Sequence, residues 1–228
     1  MGIRKLWSTP IMEEFTPLPE KIRTDLINVL FKREDARNRV AETSPGFHEF
    51  MKSKEAYAVT PYNLFNDVDQ FPDERDSIIE FERFSCRLYR RYLREALDVE
   101  QADAVKLVGR CFGNVQQPGA RTYPHYHQAM DGVLIHYLAL DGSDPELAAS
   151  VRHGSHALLL LDPRGAPNYP YWEKVDSIAP YEGLTVVHPA YVWHETNVYR
   201  GSSTRVAIVV NFQVASHCYV ELQSEMRF

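Results

Sequence analysis

Residues 118–140 read PGARTYPHYHQAMDGVLIHYLAL and contain three histidines, His125, His127 and His136. The apolar run at the end of this stretch follows the turn-forming sequence QAMDG, a pattern typical of a buried β-strand. Residues two apart in an extended strand share a face, so His125 and His127 are expected to point the same way. Neutral imidazoles are good ligands for divalent first-row metals, which makes the pair a candidate metal site. Taken alone, the pair is a weak signal, because most such pairs are surface or hydrogen-bonded histidines.

Further short apolar runs surround this stretch after residue 103, separated by turn-rich segments: AVKLVGRCF (104–112), HALLLL (156–161), GLTVVH (183–188), RVAIVVNFQV (205–214) and HCYVEL (217–222). Six or more brief strands with irregular connections predict an antiparallel sandwich or barrel such as a jelly roll. Before residue 103, residues 18–34 and 73–98 carry apolar residues at helical spacing. We therefore expect an α+β fold with a mainly β core, braced by N-terminal helices.

Composition limits the class of protein. The chain has 228 residues, of which 44% are hydrophobic, and its formal net charge is −6. This length fits a single domain, with 1–102 as mostly helical support and 103–228 as the β core. An acidic chain without a block of lysine and arginine argues against nucleic acid or an anionic membrane as a partner. Three cysteines without CxxC spacing, and no signal-peptide pattern, predict a cytoplasmic protein. The sequence is compatible with a homodimer and does not determine the oligomeric state.

The later part of the chain adds a third candidate ligand and a cation. His194 follows the apolar run 183–188, so an early pair and a late histidine could hold one metal between two strands. Arg205 comes after ten further intervening residues and opens an apolar strand, on a face it shares with Ala207 and Val209. A guanidinium inside a barrel is costly without a partner, and the carboxylate of a small ligand would satisfy it. An arginine at the strand mouth paired to a surface glutamate is the alternative.

These motifs resemble a known family. The pattern PGxxx[aromatic]PH, a second histidine eleven residues after His125, and a late His and Arg are similar to the aspartyl/asparaginyl β-hydroxylases, which are Fe(II)/2-oxoglutarate-dependent oxygenases. The opening LWSTPI (6–11) and the segments GLTVVHPAYVWHETN (183–197) and TRVAIVVNFQ (204–213) resemble more closely a group of uncharacterised 2-oxoglutarate/Fe(II) oxygenases. The resemblance implies a double-stranded β-helix fold, with Fe(II), 2-oxoglutarate and O2 as cofactor and co-substrates.

The resemblance also implies roles for individual residues. His125 and His194 match iron ligands, and Arg205 matches the clamp on the distal carboxylate of 2-oxoglutarate. His136 matches a histidine that contacts the co-substrate near the metal. Asn114 and Gln116 match positions that line the same cavity. Otherwise, His136 would be a core histidine bonded to the backbone, and Asn114 and Gln116 would be ordinary edge-strand amides.

The sequence departs from the family at position 127. Most relatives carry an acidic residue two positions after the first histidine, and the β-hydroxylases carry a small residue there, whereas this chain has His127. His127 can be the third iron ligand, water can take that place, or Asp131 can supply a carboxylate. Because QAMDG is expected to turn Asp131 off the strand face, we favour His127.

The implied activity is oxidation of a C–H bond, by hydroxylation or desaturation, with release of succinate and CO2. A small organic or amino-acid-like substrate is favoured over a protein. Arg110, Arg121, Arg152 and Arg164 could meet an acidic substrate or be ordinary surface charges. Two alternatives remain: a cupin-type three-histidine dioxygenase that does not use 2-oxoglutarate, and a non-catalytic metal-binding module.

Overall fold

The computed structural model describes residues 8–43, 62–141, 154, 156–163, 174–214 and 224–228. Two α-helices form in these residues, α1 at Glu20–Thr43 and α2 at Arg75–Leu97. Both were predicted from the spacing of apolar residues. Helix α2 buries ten side chains and ends where Asp98 adopts a left-handed conformation with φ of 54°. Neither helix is long and apolar enough to cross a membrane.

Nine β-strands in the described residues form two antiparallel sheets. The major sheet has the strand order β1-β6-β3-β8-β2-β9, and the minor sheet has the order β5-β4-β7. This mainly β architecture with supporting helices confirms the predicted fold class. The strand bounds are β1 Met12–Phe15, β2 Leu107–Gln116, β3 Gly132–Ala139, β4 Leu158–Leu161, β5 Val175–Ile178, β6 Leu184–Pro189, β7 His194–Thr196, β8 Arg205–Val214 and β9 Ser224–Glu225.

The two faces of the major sheet bury different partners, because side chains alternate along each strand. The outer face, which bears Val206 and Ile208, packs with the buried residues of α1 and α2 in one apolar cluster. The inner face, which bears Ala207 and Val209, packs with Leu158 of the minor sheet in a second cluster. The inner face is therefore enclosed by protein, and any side chain pointing from it meets the space between the sheets.

The N-terminal part is less purely helical than predicted. Strand β1 lies at the edge of the major sheet and pairs with β6, with Met12 opposite Val187. The sequence missed this strand because its burial alternates over only four residues, too few for a periodic signal. The predicted strand 217–222 lies outside the described residues, which begin again at Ser224 in β9. The assignment of residues 1–228 to one domain stays a prediction.

Candidate metal centre and co-substrate cavity

The segment carrying the first two histidines runs antiparallel to the segment carrying the third. His125 and His194 form an isolated β-bridge in which each backbone N–H donates to the other residue's carbonyl, at 3.0 and 2.8 Å. Farther along, His127 N–H donates to the carbonyl of Ala190 at 3.0 Å. The bridge places residues 69 positions apart in sequence directly opposite each other. Because His127 lies two residues after His125, its side chain joins the same face.

The three imidazoles converge closely enough to hold one ion. One nitrogen from each of His125, His127 and His194 lies within 4.8 Å of the others. The Nδ1 atoms of His125 and His194 donate to the carbonyls of Tyr123 and Val192, at 2.8 and 3.0 Å. Because a carbonyl only accepts, Nδ1 carries the proton in both rings and Nε2 presents its lone pair.

The spacing between two of these nitrogens fits a shared metal ion. Nε2 of His127 and Nε2 of His194 are 3.4 Å apart. Two nitrogens each about 2.1 Å from one ion would be that far apart at an angle of about 108°. Two lone pairs facing each other at this distance also repel unless a proton or cation lies between them. The donor set therefore fits a divalent first-row metal.

Burial keeps these rings neutral, which metal binding requires. Desolvation, and after it the neighbouring His125 and His188, lower the pKa of His127 to about 3. Desolvation likewise lowers the pKa of His194, and the neighbouring histidines lower it further. Desolvation also lowers the pKa of His125, although its backbone hydrogen bonds act in the opposite direction. At neutral pH all three side chains therefore present unprotonated nitrogen.

Asp131, the alternative carboxylate ligand, has other contacts. Its Oδ2 accepts from the backbone N–H of Val214 at 2.7 Å, and its own N–H donates to the carbonyl of Phe212 at 2.8 Å. Asp131 thus tethers the turn before β3 to the end of β8. It is not part of the group that the structure brings together at His125, His127 and His194.

Arg205 is buried on the inner face of β8, with only 2% of its surface exposed. Its Nη1 donates to Oε1 of Gln116, the residue opposite it on β2, at 2.5 Å. Gln116 in turn donates from Nε2 to the hydroxyl of Thr122 at 2.9 Å. Nε of Arg205 has no hydrogen-bond partner, and no carboxylate pairs with this arginine among the described residues. Held by a neutral amide and lying 5.2 Å from the Tyr137 ring centroid, this buried cation lacks a counter-charge among the described residues.

The three histidines and Arg205 line one cavity of about 220 Å³ between the sheets. Asn114 lines it as well, and its Oδ1 has no hydrogen-bond partner in the described part of the chain. Gln116 reaches the cavity only through its bond to Arg205. Neither aspartate nor glutamate occurs in the described lining, which consists of Arg110, Phe112, Asn114, Thr122, His125, His127, Ile135, Tyr137, Leu158, His194, Thr196, Arg205, Ala207, Val209 and Asn211.

His136 lies on the opposite face of the major sheet. Its neighbours Ile135 and Tyr137 line the cavity, so alternation turns His136 outward to the helices. There it is 1% exposed, its Nδ1 hydrogen-bonds the Thr185 hydroxyl at 2.8 Å, and its ring packs edge-on against Phe84. The structure therefore does not bring His136 to the metal ligands or to Arg205, and this geometry matches the alternative of a core histidine.

Three residues beside the histidines were missed or undervalued in the sequence. His188 is fully buried, packs edge-on against His194 at 4.7 Å between ring centroids, and leaves Nε2 without a partner among the described residues. Asn211 lines the same cavity as His127, and its Oδ1 has no hydrogen-bond partner among the described residues. Arg110, expected at the surface, is half-buried and lines the cavity. Strand alternation was the available signal: Asn211 shares the face of Arg205.

Comparisons with known proteins agree with this geometry. Residues 110–211 match the model of a family described as "Putative 2OG-Fe(II) oxygenase". No curated protein matches the sequence significantly. The fold is similar to a prolyl-4-hydroxylase from Pseudomonas putida, at 14% identity and a TM-score of 0.53, over 91% of this chain and 87% of that one.

Two further solved structures share the fold. One is the α-ketoglutarate-dependent carbocyclase SnoK from nogalamycin biosynthesis, with 11% identity and a TM-score of 0.54, over 96% of this chain and 92% of that one. The other is a Trichoplax adhaerens prolyl hydroxylase in complex with a peptide fragment, with 10% identity and a TM-score of 0.52, over 91% and 84%. The additional likeness to aspartyl/asparaginyl β-hydroxylases stays a prediction. Residues 110–211, which carry the three histidines and Arg205, are therefore similar to the 2-oxoglutarate/Fe(II) oxygenases, and the chain shares the fold of the two prolyl hydroxylases and the carbocyclase.

Proposed function

We propose that this chain is a Fe(II)- and 2-oxoglutarate-dependent dioxygenase that oxidises a C–H bond of a small organic or amino-acid-like substrate, releasing succinate and CO2. One observation supports this activity above the others. Arg205 is a buried cation without an acidic partner among the described residues, and it lines the same cavity as three converging imidazoles. A dicarboxylate that reaches from the metal to Arg205 would add ligands to the metal and supply the counter-charge that Arg205 lacks.

In this proposal His125, His127 and His194 hold the iron. Their nitrogens lie within 4.8 Å of one another, and burial favours their neutral form. Ferrous iron, when bound, supplies Lewis acidity and the redox chemistry with O2 that side chains lack. The backbone bridge between His125 and His194 fixes two of the three rings before any metal arrives, which limits the entropy lost on binding.

Arg205 binds the distal carboxylate of 2-oxoglutarate. Its Nη1 is already held by Gln116, which is itself held by Thr122, so the guanidinium is oriented in advance. Its Nε, which has no hydrogen-bond partner among the described residues, is left to donate to a carboxylate oxygen in a charge-assisted bond. Asn114 offers an unsatisfied acceptor along the same path, suited to a ligand hydroxyl or an ordered water.

The apolar part of the cavity excludes bulk water from the reacting atoms. Phe112, Ile135, Leu158 and Val209 supply this surface. A low-dielectric lining strengthens the charged contacts made by Arg205, and it protects reactive species from side reactions.

Hydroxylation is the default outcome for the substrate, and desaturation is the alternative for the same oxidation. A small substrate is favoured because the cavity is enclosed between two sheets.

The cupin-type alternative has one observation in its favour. The described ligand group consists of three histidines and no carboxylate, as a three-histidine dioxygenase that does not use 2-oxoglutarate would have. Arg205 argues against it, because such an enzyme needs no buried guanidinium. A non-catalytic metal-binding module would likewise leave the charge of Arg205 unexplained.

The decisive test is an anaerobic titration of the protein with ferrous ion and 2-oxoglutarate, followed by the visible charge-transfer band of the chelate. We expect the band in the wild type, together with slow succinate formation once air is admitted. Arg205→Ala should lower the affinity for 2-oxoglutarate at least about tenfold, because a buried charge-assisted hydrogen bond is lost. It should still bind iron, because the three histidines remain.

The matched control is Arg121→Ala, which removes an exposed arginine that stacks on Tyr123 outside the cavity. This variant should behave as the wild type does. If the wild type binds iron but gives neither the band nor succinate, the cupin-type or non-catalytic alternative is correct. Circular dichroism melting curves for both variants separate a loss of folding from a loss of binding.

A further inference from the structure

The inference concerns Arg110, the second arginine of the cavity. It lies on the inner face of β2, directly opposite Asn211 of β8. Its Nε donates to the carbonyl of Tyr62 at 3.2 Å, and its guanidinium lies 5.6 Å from the Phe112 ring centroid. These contacts hold the side chain against the cavity wall. Its two terminal nitrogens donate to no described residue.

Arg110 belongs to the metal end of the cavity. The sheet register puts Arg110, Asn211, Val133 and His188 in one row across four strands. His188 of this row packs edge-on against the candidate ligand His194, and Asn211 lines the cavity together with His127.

Arg205 lies at the other end. It is six residues from Asn211 along β8, a separation of about 20 Å between Cα atoms at the rise of an extended strand. Side chains stand roughly perpendicular to a sheet, so the two guanidinium groups face different parts of the cavity. A five-carbon dicarboxylate that spans the metal and Arg205 points away from Arg110. Arg110 is therefore left for a different molecule.

Charge balance indicates what that molecule carries. The described lining contains two arginines and no carboxylate. If neutral imidazoles bind the ferrous ion, its two positive charges are offset only by the two carboxylates of 2-oxoglutarate. The buried Arg205 and the half-buried Arg110 then leave an excess of two positive charges along a largely apolar cavity, which is electrostatically costly. A negative charge on the substrate would lower that cost.

We infer that the substrate carries a carboxylate and that Arg110 binds it, which fixes the substrate over the metal end of the cavity. The inference rests on the proposed function. Because Nε is committed to Tyr62, the edge formed by the two terminal nitrogens is the one presented to the ligand. That edge matches the two oxygens of a carboxylate in a bidentate pair. Arg110 is thus a residue that determines specificity for acids over neutral analogues.

The test measures binding of a probe pair, 3-phenylpropionate and its primary amide, to the anaerobic protein saturated with ferrous ion and 2-oxoglutarate. Isothermal titration calorimetry gives the dissociation constants, and the measurement is repeated with zinc in place of iron. We expect the wild type to bind the acid at least about tenfold more tightly than the amide. Arg110→Gln, which removes the charge and keeps a polar side chain, should abolish this preference. Arg121→Ala, an exposed arginine outside the cavity, should keep it.

Three outcomes would overturn the inference alone while the 2-oxoglutarate band still forms. The acid may bind no better than the amide, in which case the wild type by itself refutes the inference without any variant. Arg110→Gln could leave the preference for the acid intact. Arg110→Gln could lower the affinity for 2-oxoglutarate itself, which would mean that Arg110 binds the co-substrate. Absence of the band in the wild type would instead contradict the proposed function, and the inference with it.

Discussion

At the scale of single residues, the candidate centre depends on how each imidazole is held. Backbone carbonyls accept from Nδ1 of His125 and His194 and thereby fix both tautomers. The His127 ring has no such contact with a backbone carbonyl among the described residues, and its Nε2 lies 3.4 Å from Nε2 of His194. His127 is therefore the ligand whose ring orientation is fixed least by the surrounding backbone.

Removing a ligand should remove the metal. We expect His125→Ala and His194→Ala each to lower iron affinity at least about a hundredfold, measured by anaerobic equilibrium dialysis with metal analysis. Tyr126→Ala is the matched control, because this residue lies between the two early histidines but is 42% exposed and contacts Trp193. Stoichiometric iron in either histidine variant would show that the ligand assignment is wrong.

The third ligand can be tested by a charge change at the same position. His127→Asp would replace the imidazole by a carboxylate and should change the coordination spectrum of the bound metal. An unchanged spectrum and unchanged iron affinity would mean that His127 does not contact the metal, and water would then be the remaining choice.

At the scale of secondary-structure elements, helix α2 is held to the outer face of the major sheet by its apolar side. Leu93 is 5% exposed and lies in the cluster that the helices share with the sheet. Leu97 is one turn further along and is 45% exposed. The two leucines have the same chemistry and helix propensity but different burial, so they separate packing from helix formation.

We expect Leu93→Ala to lower the free energy of unfolding by about 2–5 kcal/mol, because it leaves a cavity in the core. Leu97→Ala should change it by less than about 1 kcal/mol. Urea unfolding followed by circular dichroism measures both. Equal losses in the two variants would mean that α2 is not stabilised by its contact with the sheet.

At the scale of the whole molecule, stability should depend on pH through its buried histidines. Desolvation lowers the pKa of His136 to about 3 and that of His188 to about 4. In the unfolded chain a histidine titrates near 6.5 and so binds a proton more readily than in the folded protein. These histidines therefore cost no stability above about pH 6.5. The free energy of unfolding falls as the pH drops from there toward their pKa values in the folded protein.

His136 offers a test away from the candidate metal ligands. Each such histidine contributes a slope of about 1.4 kcal/mol per pH unit below about pH 6. His136→Leu should reduce the slope of unfolding free energy against pH by that amount, measured by urea titrations of the metal-free protein between about pH 5 and pH 8. Thr185, the partner of His136, keeps its hydrogen bond to the Thr16 hydroxyl in this variant. A loss of packing would lower the free energy of unfolding equally at every pH and would leave its slope against pH unchanged. An unchanged slope would mean that His136 is protonated in the folded state.

The sequence by itself determined the elements and the shared faces. Helical spacing predicted α1 and α2, apolar runs predicted most of the strands, and alternation put His125 beside His127 and Arg205 on the face of Ala207 and Val209. These inferences succeed because they follow from local geometry, in which 3.6 residues complete a helical turn and two complete a strand repeat.

Only the tertiary structure decided which faces look into the cavity. His136 shares a strand with two cavity residues, yet its face is the one that the helices cover. Arg110, Asn211 and His188 come from three strands and meet near the candidate metal because sheet register aligns them in one row. Register and layer packing depend on contacts between residues far apart in the chain, and no local period encodes them.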